Sequence, residues 1–250
     1  MFIKKWFNAA KYFLSKIQIL VVDELYYSQF GWRTWVNKTW KNIDINIIKT
    51  KLWITDHLVV YRGDVSNNSI VSSIIPKIYQ CDATYLIFCY QVISLNEFML
   101  LCSSAKVLTL RKVTVKNDDG TEVSFEKLFE QLPQLKEIEI TFTTPSNNTP
   151  KKTFKEFWEI PQLSIYDNFC LCDIPEIFDI NSFYSFMKKN KNAKIFLSFS
   201  DEISEECKTR LEAIIDEITE TENHEYKVPF IRFPGIDEKR FNKLFNIFCR

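Results

Sequence analysis

The amino-acid sequence predicts an α/β fold: a leucine-rich-repeat-like solenoid with irregular repeats, in which a curved parallel sheet carries helices on its convex side. Three observations predict this fold. A short apolar pattern returns seven times, segments with helical periodicity separate its copies, and the repeat length of roughly 22 to 36 residues overlaps that of leucine-rich repeats. Repeated strand–helix units stack into a solenoid because no single unit can bury its own apolar face.

The pattern consists of a small or apolar residue, two further positions, an apolar residue, one position and another apolar residue. Alternate residues of a strand face opposite sides, so the last two apolar residues of each copy are predicted to face a core beneath the helices. Weaker copies centre on Leu58/Val60, Ile195/Leu197 and Ile231/Phe233. The clearest copies are Ala83-x-x-Leu86-x-Phe88, Ala105-x-x-Leu108-x-Leu110, Leu135-x-x-Ile138-x-Ile140 and Ile160-x-x-Leu163-x-Ile165.

Apolar residues at helical spacing predict a helix after most of these strands. Two helix starts carry a capping box, in which a hydroxyl and a carboxylate satisfy free N–H groups: Ser94-x-x-Glu97 and Thr153-x-x-Glu156. The helical sets are Leu95/Phe98/Met99/Cys102, Phe125/Leu128/Phe129/Leu132, Leu211/Ile214/Ile215/Ile218 and Phe241/Leu244/Phe245/Phe248.

Residues 1–50 do not follow the repeat. Aromatic residues and alanines within residues 2–13 predict a short amphipathic helix, and Trp32, Trp35 and Trp40 form a second cluster among polar residues. A solenoid needs a cap over its first unit. We therefore divide the chain into residues 1–50, a helical capping region or the remnant of another module, and residues 51–250, the leucine-rich-repeat-like solenoid.

The other side chains of the predicted strands lie on an open, concave face. This face mixes aromatic residues with single charges, which is typical of an interaction surface. The alternative is that loops or residues 1–50 cover the face, in which case its aromatic residues are ordinary packing. The predicted partner-binding residues are Tyr61, Tyr85, Ile87, Thr109, Arg111, Glu137, Glu139, Tyr166, Phe196, Phe230 and Arg232.

The sequence lacks the common catalytic motifs. Its four glycines form no phosphate-binding loop, and its two histidines, His57 and His224, lie far apart in the chain. Cys170 and Cys172 are predicted to face the same side of a strand, where packing is favoured over a metal role. We expect a protein that is not an enzyme and has no catalytic residues, metal site or cofactor. The alternative is a metal- or thiol-dependent enzyme around Cys170, Cys172 and His224.

The composition of the chain indicates its cellular compartment and the classes of partner that it binds. The 32 basic residues balance the 32 acidic residues, so nothing draws the chain to nucleic acid or to an anionic membrane. Seven cysteines without a framework spacing indicate reduced thiols. The N-terminal segment has neither the apolar run nor the cleavage site of a signal peptide. We expect a cytoplasmic or nuclear protein that binds neither nucleic acid nor membrane.

Five segments between residues 52 and 180 carry a resemblance to a known family. On these segments, residues 52–248 resemble a nematode-expanded group of F-box-associated, leucine-rich-repeat-like proteins, which often carry an N-terminal F-box. The segments are Leu52-Trp53-Ile54, Pro76-Lys77-Ile78-Tyr79-Gln80-Cys81-Asp82, Val113-Thr114-Val115-Lys116-Asn117-Asp118-Asp119-Gly120-Thr121, Glu126-Lys127-Leu128-Phe129 with Leu132-Pro133, and Ile174-Pro175-Glu176-Ile177-Phe178-Asp179-Ile180.

The resemblance implies an adaptor role, in which an F-box recruits the protein to a cullin-type ubiquitin ligase and the repeats select a substrate. The F-box candidate here runs from Val22 to Trp40; it lacks the opening Leu-Pro pair and is shorter than a full F-box. The resemblance thus implies that residues 1–50 are a degenerate F-box-like segment, as the alternative to a helical capping region. We therefore expect a non-catalytic protein–protein interaction module. A narrower expectation is a substrate adaptor with ubiquitin-ligase subunits as partners, and a further alternative is a decayed family member without activity.

Overall fold

The computed structural model describes residues 18–36, 38–61, 67–143 and 166–250. Within these ranges the chain is an α/β protein with a large, mixed and mostly parallel sheet of eleven strands, together with helices and a second sheet of two strands. The predicted α/β class with a mainly parallel sheet is thus confirmed, whereas the leucine-rich-repeat-like solenoid stays a prediction. None of the helices in the described ranges has the length and apolar composition that crossing a bilayer requires.

The chain forms two compact units. Unit 1 comprises Met1–Thr109 and Val113–Val123, and unit 2 comprises Leu110–Lys112 and Ser124–Arg250. The expected division at residue 50 stays a prediction, since compactness alone does not define a domain boundary.

Unit 1 contains most of the antiparallel pairing. Its described elements are β1 (Ile19–Ser28), β2 (Gly31–Val36), β3 (Thr39–Asn42), β4 (Lys51–Val60), α1 (Ile70–Ile74) with a 3₁₀ turn (Ile75–Lys77), β5 (Ile78–Cys81), β6 (Tyr85–Cys89), β7 (Val92–Ser94), α2 (Leu95–Cys102), the start of β8 (Val107–Arg111), and β9 (Thr114–Lys116).

The strands of unit 1 follow the order β6-β4-β1-β2-β3, and β5 pairs with the first part of β4. β4 is parallel to β6, with Leu58 opposite Leu86, and parallel to β1, with Leu58 opposite Leu25. β2 and β3 continue the sheet as an antiparallel meander, and β3 is its outermost described strand.

Residues 18–50 therefore differ from the expected helical cap. They form β1 to β3 and a turn, and β1 is a parallel neighbour of β4 within the sheet. The physical reason differs between the two strands. On β2 a period-2 alternation buries Trp32 and Thr34, whereas on β1 Val22 and Leu25 are both buried because the register shifts between Val22 and Glu24. The helix predicted within residues 2–13 lies outside the described residues.

The start of α2 in unit 1 has the capping interactions that the sequence predicts. The Ser94 hydroxyl accepts a hydrogen bond from the Glu97 backbone N–H, and Glu97 Oε2 accepts one of 2.7 Å from the Ser94 backbone N–H, which confirms the predicted capping box. A buried side chain that the sequence did not indicate, Gln91, accepts a hydrogen bond from the Val71 backbone N–H and donates to the Cys89 carbonyl. Gln91 thereby ties α1 to the end of β6.

Unit 2 is a parallel strand–helix array. The strand order is β10-β11-β12-β13, and the end of β8 lies beside β10. Its described elements are the end of β8, α3 (Phe125–Glu130), β10 (Glu137–Thr141), β11 (Asn168–Ile174), α4 (Ile180–Met187), β12 (Lys194–Phe199), α5 (Glu205–Glu220), β13 (Phe230–Arg232) and α6 (Glu238–Phe248).

Most predicted strand copies are confirmed. The paired apolar residues of the copies at Leu86, Leu108, Ile138 and Ile195 are all buried within strands. The copy at 160–165 and the capping box at Thr153 lie outside the described residues. Between β10 and β12 the parallel neighbour is β11, whose buried pair is Phe169 and Leu171.

Three strands have a residue in the left-handed backbone conformation at an equivalent position. Tyr90, Lys112 and Asp173 have φ of +57°, +54° and +54°, and each lies two residues after the second residue of the buried apolar pair of its strand, which is Phe88, Leu110 or Leu171. This conformation turns the chain sharply at the carboxyl end of the strand. After Tyr90 the chain enters β7, which pairs in parallel with β9 as the second sheet.

Candidate functional site

One face of each strand array is buried and the other is partly exposed. In unit 1 the partly exposed face carries three of the predicted partner-binding residues, Tyr85, Ile87 and Thr109, although Thr109 is itself buried. Tyr61 follows β4 directly and is exposed. In unit 2 this face carries Arg111, Glu137, Glu139 and Phe196, all partly exposed, and Arg232, which is exposed.

Besides Thr109, two further predicted residues, Tyr166 and Phe230, are buried and do not form part of an accessible surface. The sequence predicts Tyr166 on a strand centred on Leu163. In the structure Tyr166 precedes β11, its side chain is 1% exposed, and its ring stacks on that of Phe169 with 6.4 Å between the centroids. It occupies the small-or-apolar position of the pattern. Phe230 does point away from the core beside Phe196, with 5.4 Å between the ring centroids.

Phe230 is covered by α6. The rings of Phe241, Phe245 and Phe248 lie 5.2, 5.6 and 5.6 Å from its ring. The amphipathic pattern of α6 was predicted, but the sequence does not show which side of an edge strand a terminal helix covers. Phe230 is therefore a packing residue under α6.

Among the described residues of unit 1, a group of exposed and partly exposed aromatic residues lies on β1 to β3 and the turn after β1, outside the predicted set. We call it the Arg33 patch, and it consists of Tyr26, Phe30, Arg33, Trp35 and Trp40. Pairing of Tyr26 with Arg33 and of Trp35 with Trp40 brings these side chains to the same sheet face. Trp40 meets Tyr26 at 4.7 Å and Trp35 at 5.0 Å between ring centroids, both edge to face. Such contacts fix the ring positions.

Arg33 lies between two of these rings. Its guanidinium carbon is 5.4 Å from the Trp40 ring centroid and 5.9 Å from that of Phe30. Both distances are within the range of cation–π attraction. Phe30 is 66% exposed, and Trp35 and Trp40 are each 38% exposed. The Arg33 patch thus presents a positively charged group between accessible aromatic surfaces.

The charge of Arg33 has no counter-charge in the part of the chain that the structure describes. No described carboxylate pairs with it, and its Nε is buried without a hydrogen-bond acceptor. A guanidinium forms its strongest contacts with carboxylate or phosphate oxygens, which take two parallel N–H donors. The Arg33 patch therefore retains unused capacity to bind an anion.

A cleft of about 570 Å³ adjoins the Arg33 patch at Phe30. Phe30, Trp32, Ile45 and Ile70 contribute apolar lining, and Asp44 together with asparagine and serine side chains contributes polar lining. A cleft of this size and lining accommodates a bulky apolar side chain. The sequence contained a signal for this region, since Arg33 and Trp35 alternate with the buried Trp32 and Thr34, but the short β1–β3 meander does not follow the repeat.

In unit 2 the predicted residues form an ion pair and a thiol pair. The Arg111 Nε–H donates a 2.8 Å hydrogen bond to Oε1 of Glu139, and both side chains are about one third exposed. Glu139 is the register partner of Cys170 on β11. The sulfurs of Cys170 and Cys172 are 3.7 Å apart, which confirms that these two residues face the same side. Both are partly exposed.

The contact between the two sulfurs shifts the pKa values of Cys170 and Cys172 in opposite directions. The hydrogen bond from the Cys170 thiol lowers the pKa of Cys172, and the nearby Arg111 charge acts in the same direction, while burial and the Glu139 and Asp173 carboxylates oppose the shift. The same hydrogen bond, together with burial, raises the pKa of Cys170. The pair thus gives up its first proton more readily than its second, because the first thiolate keeps the remaining S–H as a hydrogen-bond donor.

Arg232 lies beside a cleft of about 640 Å³ at the carboxyl ends of β11, β12 and β13. Asp173, Asp201 and Glu238 contribute carboxylates to this cleft, and Ser198 a hydroxyl. Ligands of open α/β sheets commonly bind at this end of the strands. The lining is mixed, because apolar residues such as Phe233, Ile236 and Phe241 lie beside the carboxylates and Arg232.

His224 does not complete a metal or catalytic cluster with the thiol pair. Its Nε2 lies 2.9 Å from the Ile218 carbonyl oxygen, and its ring contacts Tyr226 at 5.2 Å. Among residues 18–36, 38–61, 67–143 and 166–250, no three histidine, cysteine, aspartate or glutamate side chains are arranged to hold a metal ion. The structure thus brings together two of the three residues of the alternative enzyme site.

In unit 1, His57 contacts Tyr85 at 4.9 Å between ring centroids. Asp56 Oδ2 lies 3.1 Å from Nδ1 of His57, but the two atoms are not aligned for a hydrogen bond. This pair belongs to the partly exposed face, because Tyr85 is the register partner of His57 on the adjacent strand.

Comparison of the chain with known proteins found no similar protein. No protein-family model, no curated protein sequence and no solved structure matches the chain.

Proposed function

We propose that this chain is a non-catalytic protein-interaction module that binds its partner through the partly exposed sheet face of unit 1, at the Arg33 patch. The observation that carries the proposal is the arginine without a counter-charge between two accessible aromatic rings. Arginine, tryptophan and tyrosine dominate the energetic centres of protein interfaces, because they combine large contact area with directed polar groups.

The partner we propose is a protein segment with a carboxylate next to bulky apolar side chains. The carboxylate pairs with Arg33, whose aromatic neighbours lower the cost of holding the guanidinium in place. An apolar side chain beside it enters the cleft lined by Phe30 and Ile70. The competing explanation is that Arg33 and the tryptophans only protect the exposed edge of β3, since charged residues at an edge strand discourage pairing between sheets.

The first experiment exposes the immobilised full chain to a displayed library of random peptides. We expect enrichment of sequences with Asp or Glu next to Phe, Leu or Trp. The variant R33M, which keeps the aliphatic contacts, should lose this enrichment, and R33K should retain only part of it, because lysine keeps the charge but not the planar fork. For a selected peptide, R33M should weaken binding about 10- to 100-fold, as expected for loss of a charge-assisted pair.

Matched controls separate binding from folding. Tyr79 on β5 is 54% exposed and lies outside the Arg33 patch, so Y79A tests the loss of an exposed aromatic residue elsewhere. R210M removes a charged side chain of α5 that pairs with Glu206. Both should bind the selected peptide like the parent chain, while W40A should not. If no acidic peptides are enriched, or if R33M binds them equally well, the proposed surface is wrong.

The ligase-adaptor role is a narrower proposal that rests on the family resemblance. Val22, Leu25 and Trp32 of the F-box candidate are buried in the core of unit 1, so they offer little surface for a ligase subunit. Co-purification of the native protein with cullin-ligase subunits supports the adaptor role. Peptide binding at Arg33 without such subunits supports a plain interaction module.

A further inference from the structure

The thiol pair on β11 differs from the other described cysteines. Cys81, Cys89, Cys102 and Cys207 are buried, and Cys249 is exposed without a described thiol partner. Cys170 and Cys172 alone combine partial exposure with a neighbouring sulfur, at 3.7 Å. Two thiols this close can react with each other once one is oxidised.

The local backbone permits the sulfurs to approach. A disulfide needs a sulfur–sulfur distance of about 2.05 Å, so the pair must close by roughly 1.7 Å. Residues two apart on a strand project to the same side, but a regular strand holds their Cβ atoms too far apart for an unstrained disulfide. β11 departs from regularity next to Cys172: its pairing with β12 shifts between Leu171 and Ile174, and Asp173 has φ +54°.

The contact between the two sulfurs favours a reactive thiolate at Cys172 and a resolving thiol at Cys170. The Cys170 S–H lowers the pKa of Cys172, and Arg111 adds a smaller effect in the same direction, against burial and the Glu139 and Asp173 carboxylates. A thiolate with partial solvent access next to a second thiol is the arrangement that oxidants attack first.

We propose that Cys170 and Cys172 form an oxidation site that a peroxide converts into a disulfide within one strand. Cys172 first gives its proton to solvent, and the thiolate attacks one peroxide oxygen while the O–O bond breaks. This leaves a sulfenic acid on Cys172 and releases the other oxygen as hydroxide, which takes a proton from solvent and becomes water. The Cys170 sulfur then attacks the sulfenic sulfur, the S–S bond forms, and the S–OH oxygen leaves as a second water. Two thiols and one hydrogen peroxide thus give one disulfide and two waters.

The site stands apart from the proposed function, because it lies in unit 2 and uses none of the Arg33 patch. Its product changes the partly exposed face around Arg111 and Glu139, since the disulfide has neither the S–H donor nor the thiolate charge of the reduced pair. Strain in an intra-strand disulfide makes it easy to reduce, which is typical of regulatory rather than structural disulfides.

The test uses the full-length protein, hydrogen peroxide and mass spectrometry. Trypsin releases both cysteines in one fragment, residues 156–188, which contains no other cysteine. After brief peroxide treatment and alkylation with N-ethylmaleimide, we expect this fragment to lose two hydrogens and take no label, and to recover both labels after dithiothreitol. The exposed Cys249 is the internal comparator, and the pair should react about tenfold faster or more because of its thiolate character.

Two variants assign the roles. C170S should accumulate a sulfenic acid on Cys172 that dimedone traps, because no resolving thiol remains. C172S should leave Cys170 largely unmodified at the same dose. The proposal is overturned if residues 156–188 keep two alkylatable thiols when Cys249 is already oxidised, or if the cysteines pair only between molecules. Equal trapping in both variants would overturn the assignment of Cys172 as the attacking thiolate.

Discussion

Arg240 on α6 holds Asp216 on α5 through two parallel hydrogen bonds, 2.8 Å from Nε to Oδ1 and 2.9 Å from Nη2 to Oδ2. The fork lowers the pKa of Asp216, because the guanidinium favours the ionised carboxylate. A second carboxylate, Glu212, lies 3.5 Å from Nη1 of the same arginine. These contacts connect α6, which covers Phe230, to α5.

The variant D216N should lower the melting temperature and weaken the pH dependence of stability. The folded pKa of Asp216 is depressed, so its contribution is fully present above the ordinary aspartate pKa and is lost as the pH falls through the lower, folded value. Thermal melts of the parent chain and D216N should therefore converge in strong acid. E205Q removes a highly exposed carboxylate that pairs with Lys208 and should leave the melts nearly unchanged. A parallel pH profile for D216N would contradict this assignment.

Truncation of a strand core residue should be far more costly than truncation of an exposed leucine. Leu108 on β8 is fully buried, and L108A should reduce the free energy of unfolding by about 2–5 kcal/mol through lost burial and an internal cavity. L100A, at a position 41% exposed on α2, should cost much less. Urea denaturation measures both, and similar losses would show that the burial of Leu108 does not reflect a packed core.

Removal of the Tyr166 hydroxyl should leave stability unchanged or increase it by about 1 kcal/mol. Its oxygen is buried, and no described group hydrogen-bonds to it, so the folded state bears its desolvation cost. Burial also raises the pKa of the Tyr166 phenol well above its ordinary value. Y166F keeps the ring on Phe169, and Y85F serves as the control at a partly exposed position. A clear loss of stability in Y166F by calorimetry would show that the hydroxyl has a partner.

Loss of the α2 cap should have a moderate and specific effect. S94A removes the acceptor for the Glu97 N–H and should cost about 1 kcal/mol, whereas S94D keeps an acceptor at the helix start and should retain most of the stability. Urea denaturation distinguishes the two. Equal losses in both variants would mean that the hydroxyl acts through another contact.

The strand cores were predictable because burial at every second residue is a direct consequence of strand geometry. Leu86 and Phe88 show this in unit 1, and Ile195 and Leu197 in unit 2. The shared side of Cys170 and Cys172 followed from the same rule, although their 3.7 Å separation did not.

Other features depend on partners that lie far away in the chain. Phe230 obeys the strand alternation, yet a helix that begins eight residues later buries it. The Arg33 patch needs three strands in register, and the pairing of Trp35 with Trp40 depends on a hairpin that the repeat does not predict. Tyr166 was misplaced because a neighbouring segment matched the apolar pattern as well as β11 does.

The left-handed residue after β6 has a practical consequence for engineering. Tyr90 has φ +57°, a conformation in which asparagine and glycine are less strained than tyrosine. The equivalent residues Lys112 and Asp173 form a 3.5 Å ion pair with each other, so substitution of either would break that pair. Substitution of Tyr90 by asparagine or glycine should therefore raise the melting temperature by relieving backbone strain at this turn. The substitution leaves the Arg33 patch and the thiol pair unchanged.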